Sequence, residues 1–169
     1  QVCDKLNIPL RSIDLIKEYW EKVFKVFLKE CEIGRTPNPD IICNREIKFR
    51  AFLDYATNLG ANKIATGHYA KIKKQNELYH LLRGEDKSKD QSYFLYRLDQ
   101  SQISRSIFPL EKVNKKNVRK IADDLGFLNY DKKDSTGICF IGERNFRDFL
   151  KKYIKPKPGN IINNKGKTI

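Results

Sequence analysis

Two amphipathic helical patterns, joined by a proline-stiffened loop, occupy the first third of the chain. Apolar residues recur at helical spacing over residues 20–31, and Gly34 ends that pattern. Two prolines flank Asn38 in the following loop and keep it from being helical. A second helix is predicted to start near Asn44, a good N-cap residue. Its predicted apolar face comprises Ile47, Phe52, Leu53, Ala56 and Leu59.

The rest of the chain alternates short apolar segments with polar loops and then turns helical. Short strands are predicted at residues 11–15 and 62–66, and a hairpin or two strands at 69–73 and 77–82. Helices are predicted over 91–98, 101–106, 114–125 and 145–154. Residues 156–159 are typical of a linker, and 160–169 of the start of a β-structure.

This alternation predicts the α/β class, with part of a doubly wound parallel sheet. We expect three regions: an α/β region at 1–98, an all-helical central region at 99–157, and the start of a β module at 158–169. The first residue is Gln and the sequence contains no Met, so we expect the chain to be part of a longer protein.

The charge of the chain favours a polyanionic partner. Lys and Arg number 34 against 21 Asp and Glu, and residues 61–169 hold 24 of the basic but only 12 of the acidic side chains. Such a one-sided positive field favours RNA or DNA, although a lysine-rich composition alone explains it as well. The 40% hydrophobic content excludes a wholly disordered chain. No apolar run has the roughly 18 residues that a membrane span needs.

Cysteine usage points to a reducing compartment. Cys3, Cys31, Cys43 and Cys139 are far apart in sequence, without a C-x-x-C pair, and His68 and His80 are the only histidines. A secreted disulfide scaffold and a zinc site both need denser ligands. The thiols are therefore either reactive or simply buried.

The loop 34–44 is the first candidate for chemistry. It carries Asn38, Asp40 and Cys43 directly before the second predicted helix. A thiol at a helix N-terminus is biased toward the thiolate, and Asp40 is close enough in sequence for proton transfer. The alternative is a capping turn with an inert buried cysteine.

Three further segments are candidates. Cys139 lies between Gly137 and Gly142, and its thiol could meet Cys43 and exchange sulfur as a disulfide or persulfide, or it could fill a core strand. Gly67 follows a predicted strand, where α/β proteins bind ligands, or it forms a tight turn. Residues 89–94 suit RNA phosphates and splayed bases, or a solvated helix start. We find no glycine-rich phosphate loop.

Together these segments resemble the signature of the bacterial tRNA-specific 2-thiouridylases. The matching runs are 34–49, 65–69, 89–94 and 134–142, in the family's order and at similar spacings. The resemblance implies an ATP-pyrophosphatase domain, adenine nucleotide alpha hydrolase-like, at 1–98. It also implies a helical tRNA-binding domain with the second catalytic cysteine loop at 99–157, and the start of a C-terminal β-barrel at 158–169.

The resemblance also implies the reaction, in which sulfur replaces the C2 oxygen of the tRNA wobble uridine after ATP-dependent adenylation. Cys139 would carry a persulfide and Cys43 would be the nucleophile, the two closing to a transient disulfide. Asp40 would act as acid or base. The implied binding residues are Asn38, Pro39 and Asp40 for the target base, Gly67 for ATP, and Lys89, Asp90 and Gln91 for tRNA.

ATP with Mg²⁺ and a persulfide co-substrate are the implied cofactors. The implied partners are tRNA and an upstream sulfur-relay protein or cysteine desulfurase, for a cytoplasmic monomer without a membrane. The family's Ser-Gly-Gly-x-Asp-Ser loop and most of its barrel are absent from this sequence, so we expect the chain alone to be inactive or nearly so. Two alternatives stay open: a non-catalytic RNA-binding remnant, and an ATP-pyrophosphatase that activates a different carbonyl.

Overall fold

The computed structural model describes residues 2–134, 137–139, 142 and 145–169. Four residues of the second cysteine motif (Ser135, Thr136, Phe140 and Ile141) lie outside the described residues. Apart from the two long helices described next, the helical segments are Val2–Lys5, Gln100–Ser104, Lys115–Asp124 and Phe146–Leu150, with a 3-10 turn at Ser92–Leu95. The strands are β1 (Ile64–Ala65), β2 (Ala70–Gln75), β3 (Leu78–Arg83) and β4 (Ser106–Ile107).

The first long helix, called here the aromatic helix, runs through Ile16–Tyr19, Trp20–Phe24 and Lys25–Glu32. Its middle segment is π-helical. Gly34 follows at a φ of +81°, which glycine adopts without steric cost, and the predicted helix end is confirmed. The strand predicted at 11–15 is wrong, because these residues form no ladder with any described strand.

The second long helix, called here the Cys43 helix, runs through Pro39–Cys43, Asn44–Ala51 and Phe52–Asn58. The predicted start at Asn44 is wrong. Asn38 is the N-cap, since its Oδ1 accepts the Asp40 N–H at 3.0 Å, and Pro39 occupies the first helical position, where its missing N–H costs nothing.

The apolar face of the Cys43 helix also differs from the prediction. Phe52 and Leu59 are 37% and 53% exposed, whereas Phe49 is fully buried. The segment Asn44–Ala51 is π-helical, so its side chains are not spaced at the 3.6 residues per turn that the prediction assumed. The core therefore receives Phe49 in place of Phe52.

The Cys43 helix separates two clusters of buried side chains. Its first half packs on the aromatic helix, in a cluster of Tyr19, Val23, Phe24, Phe27, Cys43, Ile47 and Phe149. Its second half packs on the strands, in a cluster of Phe49, Leu53, Ile64, Ala70, Leu95, Leu98, Ile103 and Phe108. This position explains why Cys43 is fully buried.

The described strands form two small sheets. β1 pairs in parallel with β4, while β2 and β3 form an antiparallel hairpin. The hairpin is one of the two arrangements predicted for residues 69–73 and 77–82. The helix predicted over 101–106 ends at Ser104, because Ser106 and Ile107 join β1 instead. The parallel pair and its covering helices fit the predicted α/β class.

Contacts cross the predicted boundary between residues 98 and 99. Ile103 and Phe108 belong to the same buried cluster as Phe49 and Ile64. The division into three domains stays a prediction, as does the barrel start, where the described residues contain one isolated bridge between Ile162 and Thr168. None of the helices in the described part of the chain has the length and apolar character that a membrane crossing requires.

Candidate active site at the Cys43 and Cys139 thiols

The fold brings Cys43 and Cys139 together, although 95 residues separate them in sequence. Cys43 is buried on its helix, and its thiol donates a hydrogen bond to the sulfur of Cys139. Cys139 is half-buried and packs against the buried cluster between the aromatic helix and the first half of the Cys43 helix. Both cysteines are free thiols.

Side chains of both long helices hold the backbone of Cys139. Its N–H donates to Asp40 Oδ1 at 3.0 Å, and its carbonyl oxygen accepts from the Tyr19 hydroxyl at 2.9 Å. The Asp40 carboxylate also hydrogen-bonds to the Cys139 thiol. Asp40 therefore both fixes this loop and stands where it can take a proton from the sulfur.

A cation completes this arrangement. Lys48 Nζ lies 3.8 Å from Cys139 Sγ. Lys48 belongs to the same helix as Cys43, five residues later, and its side chain is half-buried.

The surroundings raise the pKa of one thiol and lower the pKa of the other. The hydrogen bond to Cys139, together with burial, raises the pKa of Cys43 far above its ordinary value. The hydrogen bond from Cys43 lowers the pKa of Cys139, and the Lys48 ammonium lowers it further against the effect of burial. The sequence-based expectation that Cys43 is the thiolate-prone residue is therefore wrong in this reduced state, because Cys43 lies within a helix and not at its N-terminus.

The residues predicted to contact the target base lie at the helix start. Asn38 is half-buried and its side chain is used as the cap, and Pro39 is buried. Of the three, Asp40 is the one that contacts the thiol pair. Asn44 follows Cys43, is 2% exposed and donates from Nδ2 to the Phe94 carbonyl oxygen at 2.9 Å, which ties the 3-10 turn to this helix.

Gly67 lies just beyond the carboxyl end of β1 and is exposed. A Cβ added there would meet no atom within 4 Å, so the space beside this backbone is open. Ligands of parallel α/β sheets bind at this end of the strands, so the backbone at Gly67 is open to the approach of a ligand. The described residues contain no group of three or more His, Cys, Asp or Glu side chains that would hold a metal ion.

His68 follows Gly67 and is neutral. Its ring lies 5.7 Å from Phe49 and 6.1 Å from Phe108, and Nδ1 is 2.9 Å from the Thr66 hydroxyl. Burial, with a further contribution from the Lys48 ammonium, lowers its pKa to about 4. This imidazole is a neutral hydrogen-bonding group at physiological pH.

The three residues predicted to contact tRNA already have partners within the chain. Lys89 Nζ pairs with Asp134 Oδ2 at 2.9 Å. Asp90 Oδ1 accepts the Gly84 N–H at 3.0 Å, and Gln91 Oε1 accepts the Tyr69 N–H at 3.0 Å. Asp90 and Gln91 therefore stabilise the β2–β3 hairpin. Lys89 differs from them, because its partner is an exposed side chain that a phosphate could replace.

A basic groove surrounds Asp134. Lys115 Nζ and Arg119 Nη2 lie 3.3 and 3.6 Å from Asp134 Oδ1, whereas Lys89 contacts Oδ2. The groove has a volume of about 410 Å³, and Lys132 and Lys133 also line it. Its charge suits nucleic-acid phosphates.

Lys48, Tyr19 and Asp134 had no assigned role in the sequence interpretation. Helical spacing places Lys48 away from Cys43, so the pattern concealed it. Tyr19 stands outside the apolar positions counted from Trp20. Asp134 was part of a matching segment, which was a usable signal.

The described residues form an α/β domain with a parallel strand pair and two contacting thiols, and a known protein family matches this chain. The family described as "tRNA methyl transferase HUP domain" matches residues 1–143, and the chain belongs to that family. Its curated relatives carry the more particular name "tRNA-specific 2-thiouridylase MnmA", which confirms the resemblance drawn from the motifs.

Three relatives illustrate the similarity. The chain is 53% identical to the protein of Hydrogenovibrio crunogenus over 169 residues, which is 99% of this chain and 45% of the relative. It is 59% identical to that of Nitrosomonas europaea over 160 residues and 58% identical to that of Salmonella paratyphi B over 162 residues, each 95% of this chain and 44% of the relative. The chain thus spans about half the length of the curated relatives it matches.

Proposed function

We propose that the protein containing this chain replaces the C2 oxygen of the tRNA wobble uridine with sulfur. The observation that carries the proposal is the contact between the Cys43 and Cys139 thiols next to Lys48. Two thiols in contact are what a transfer of sulfane sulfur needs, one to carry the sulfur and one to release it. The names of the relatives support uridine in tRNA as the substrate.

In this proposal Cys139 carries the persulfide. Cys139 is the more exposed thiol and the one whose pKa is lowered, so it is suited to meet a sulfur donor. Its thiolate attacks the outer sulfur of a donor persulfide, the donor S–S bond breaks, and the donor leaves as a thiolate. Asp40 accepts the proton of the Cys139 thiol, consistent with the hydrogen bond between them.

ATP, accompanied by Mg²⁺, would supply the adenylyl group that turns the C2 oxygen into a leaving group. The outer sulfur of the Cys139 persulfide then attacks C2, and the activated oxygen departs with its bonding electron pair. Gly67 is the residue of this chain proposed to lie against the nucleotide, on the strength of the open space beside it.

Cys43 completes the transfer. After the attack, the sulfur on C2 is still bonded to Cys139 Sγ. The Cys43 thiolate attacks Cys139 Sγ, the bond to the uridine sulfur breaks, and the electron pair stays on that sulfur as the C2 thiocarbonyl. The product disulfide between Cys43 and Cys139 must then be reduced by a dithiol before the next turnover.

The Cys43 thiol becomes more acidic at the stage where it acts. In the resting state the hydrogen bond to Cys139 is the main cause of its raised pKa. Once Cys139 Sγ is in a neutral disulfide this cause is gone, while burial still raises the pKa of Cys43 and the Lys48 ammonium still lowers it. Loss of this hydrogen bond therefore favours the Cys43 thiolate at the stage where the disulfide to the uridine sulfur has formed.

The remaining site residues are proposed to bind the uracil base and the tRNA. Asn38, Pro39 and Asp40 would line the pocket of the flipped uracil, since they start the helix that carries Cys43. Lys89, with Asp90 and Gln91 as its support, would contact tRNA along the basic groove. The sulfur would come from a relay protein or a cysteine desulfurase, in the reducing cytoplasm that four free thiols suit, and the protein would act as a monomer.

Single-turnover thiolation of a tRNA transcript tests the proposal. The complete gene product that contains this chain is mixed with ATP and a persulfide donor, and 2-thiouridine is measured by mass spectrometry. Cys139→Ser should abolish the product. Cys43→Ser should accumulate a disulfide-linked adduct between Cys139 and tRNA, from which an added dithiol releases 2-thiouridine.

Cys3→Ser serves as the matched control, because Cys3 lies on the short helix Val2–Lys5 and outside both buried clusters. It should react like the unsubstituted protein. Full activity in Cys43→Ser or Cys139→Ser would refute the two-thiol mechanism. Tight tRNA binding without any thiolation would favour a non-catalytic RNA-binding protein instead.

A further inference from the structure

Lys48 lies next to the paired cysteines, and its position indicates a role of its own. We propose that Lys48 is a further catalytic residue, whose ammonium group binds the sulfur anion of Cys139, first as the thiolate and then as the persulfide. This inference rests on the proposed function for its role in turnover. The contact itself, with Nζ 3.8 Å from Sγ, is independent of it.

The winding of the Cys43 helix accounts for this contact. In a regular α-helix, a residue five positions further on lies about 140° around the axis, so Lys48 would face away from Cys43. The segment Asn44–Ala51 is π-helical, and the Phe52 N–H donates to the Ile47 carbonyl oxygen, a bond that spans five residues. This pattern brings positions i and i+5 onto the same face, so Lys48 reaches the sulfur that Cys43 also contacts.

The ammonium group is available for an anion. Among the described residues no carboxylate lies within ion-pairing distance of Lys48, whereas eleven ion pairs connect other side chains. Lys48 is half-buried, so water screens its charge less than that of a surface lysine. Among the described residues, the titratable groups that face Cys139 are Cys43, Lys48 and Asp40 on one helix and Tyr19 on the other.

Among these four groups, Lys48 is the cation. Asp40 and burial both disfavour a sulfur anion at Cys139, while the Cys43 hydrogen bond and Lys48 favour it. A persulfide that attacks the activated C2 must be anionic, and its negative charge moves to the departing oxygen during the step. A fixed ammonium group next to that sulfur raises the anionic fraction at neutral pH.

The test is the pH dependence of Cys139 alkylation in the reduced protein. Iodoacetamide labelling is followed by peptide mass spectrometry, which reads Cys139 separately from the other three cysteines. Removal of an opposite charge at this distance shifts a pKa by about one unit or more. Lys48→Met should therefore slow Cys139 labelling about tenfold at pH 7 and displace the labelling curve to higher pH.

Two variants control the result. Lys48→Arg keeps the positive charge and should restore most of the labelling rate. Lys25→Met removes a surface lysine whose partner is Glu21, and it should label like the unsubstituted protein. Equal labelling curves for Lys48→Met and the unsubstituted protein would overturn the inference, as would a Lys48→Arg variant that behaves like Lys48→Met.

Thiolation by the same variants separates this inference from the proposed function. Lys48→Met should shift the pH profile of single-turnover thiolation to higher pH, in parallel with the labelling curve. If Cys139→Ser abolishes thiolation but Lys48→Met leaves both profiles in place, the role of Lys48 is wrong and the two-thiol mechanism stands. If Cys139→Ser stays active, the mechanism fails whatever the labelling shows.

Discussion

Acidification should destabilise this fold through His68. The ordinary histidine pKa of 6.5 falls to about 4 in the folded chain, because partial burial of the ring, which packs near Phe49 and Phe108, and the nearby Lys48 ammonium both disfavour its charged form. Between these two values the unfolded chain binds a proton that the folded chain does not. Folding is therefore most favoured above about pH 6.5 and loses stability as the pH falls toward 4.

The size of the effect follows from the two pKa values. Each pKa unit corresponds to about 1.4 kcal/mol, so the full separation removes about 3 kcal/mol from the free energy of unfolding. That is a large part of the 5–15 kcal/mol typical of a domain. The loss should be spread over the whole interval, with the steepest part near its middle, at about pH 5, where the unfolded chain is mostly protonated and the folded chain is mostly not.

Urea unfolding between pH 4 and 7.5 measures this loss, with His68→Gln and His80→Gln as the comparison. His80 is the other histidine of the chain and is exposed on β3. The stability difference between the unsubstituted protein and His68→Gln should shrink by about 2–3 kcal/mol from neutral pH to pH 4. The His80→Gln curve should run parallel to that of the unsubstituted protein. A His68→Gln variant with the same pH slope as the unsubstituted protein would refute the assignment of His68 as a half-buried neutral imidazole.

Three other substitutions have defined outcomes. Asn38→Ala removes the cap of the Cys43 helix and should lower the free energy of unfolding by about 1 kcal/mol in urea titrations; no loss would contradict the capping role. Phe49→Ala should cost about 3–5 kcal/mol, and Phe52→Ala clearly less, because π-helical winding buries the former and exposes the latter; the reverse order would contradict the observed helix register. Asp134→Asn frees Lys89 and its basic neighbours, so tRNA should bind more tightly and with a steeper salt dependence in fluorescence titrations; unchanged binding at all salt concentrations would remove the basic groove from the RNA surface.

The sequence predicted the elements that have a strong hydrophobic periodicity or are bounded by glycine and turn residues. The aromatic helix, the stop at Gly34, the short strand near Ile64 and the β2–β3 hairpin follow from spacing and turn residues. The partner of β1 did not, because two residues at Ser106 and Ile107 are too few to give a strand pattern. Long-range pairing of such short strands is decided by the shared core and not by local preference.

Part of the candidate site could likewise be predicted from the sequence, and part of it could not. Residue types and their order indicated Cys43, Cys139 and Asp40, which the fold brings into contact. The relative acidity of the two thiols was inaccessible, since it depends on a hydrogen bond between residues distant in sequence and on burial. Lys48 was hidden because helical spacing assumes 3.6 residues per turn, and the π-helical segment departs from it just after Cys43.

The stoichiometry of disulfide formation tests the central claim most directly. The reduced complete gene product is allowed one turnover with ATP, tRNA and a persulfide donor, without any other reductant, and the protein is mapped by mass spectrometry. The two-thiol account predicts one Cys43–Cys139 disulfide for each 2-thiouridine formed. Formation of 2-thiouridine while both thiols remain reduced would contradict it.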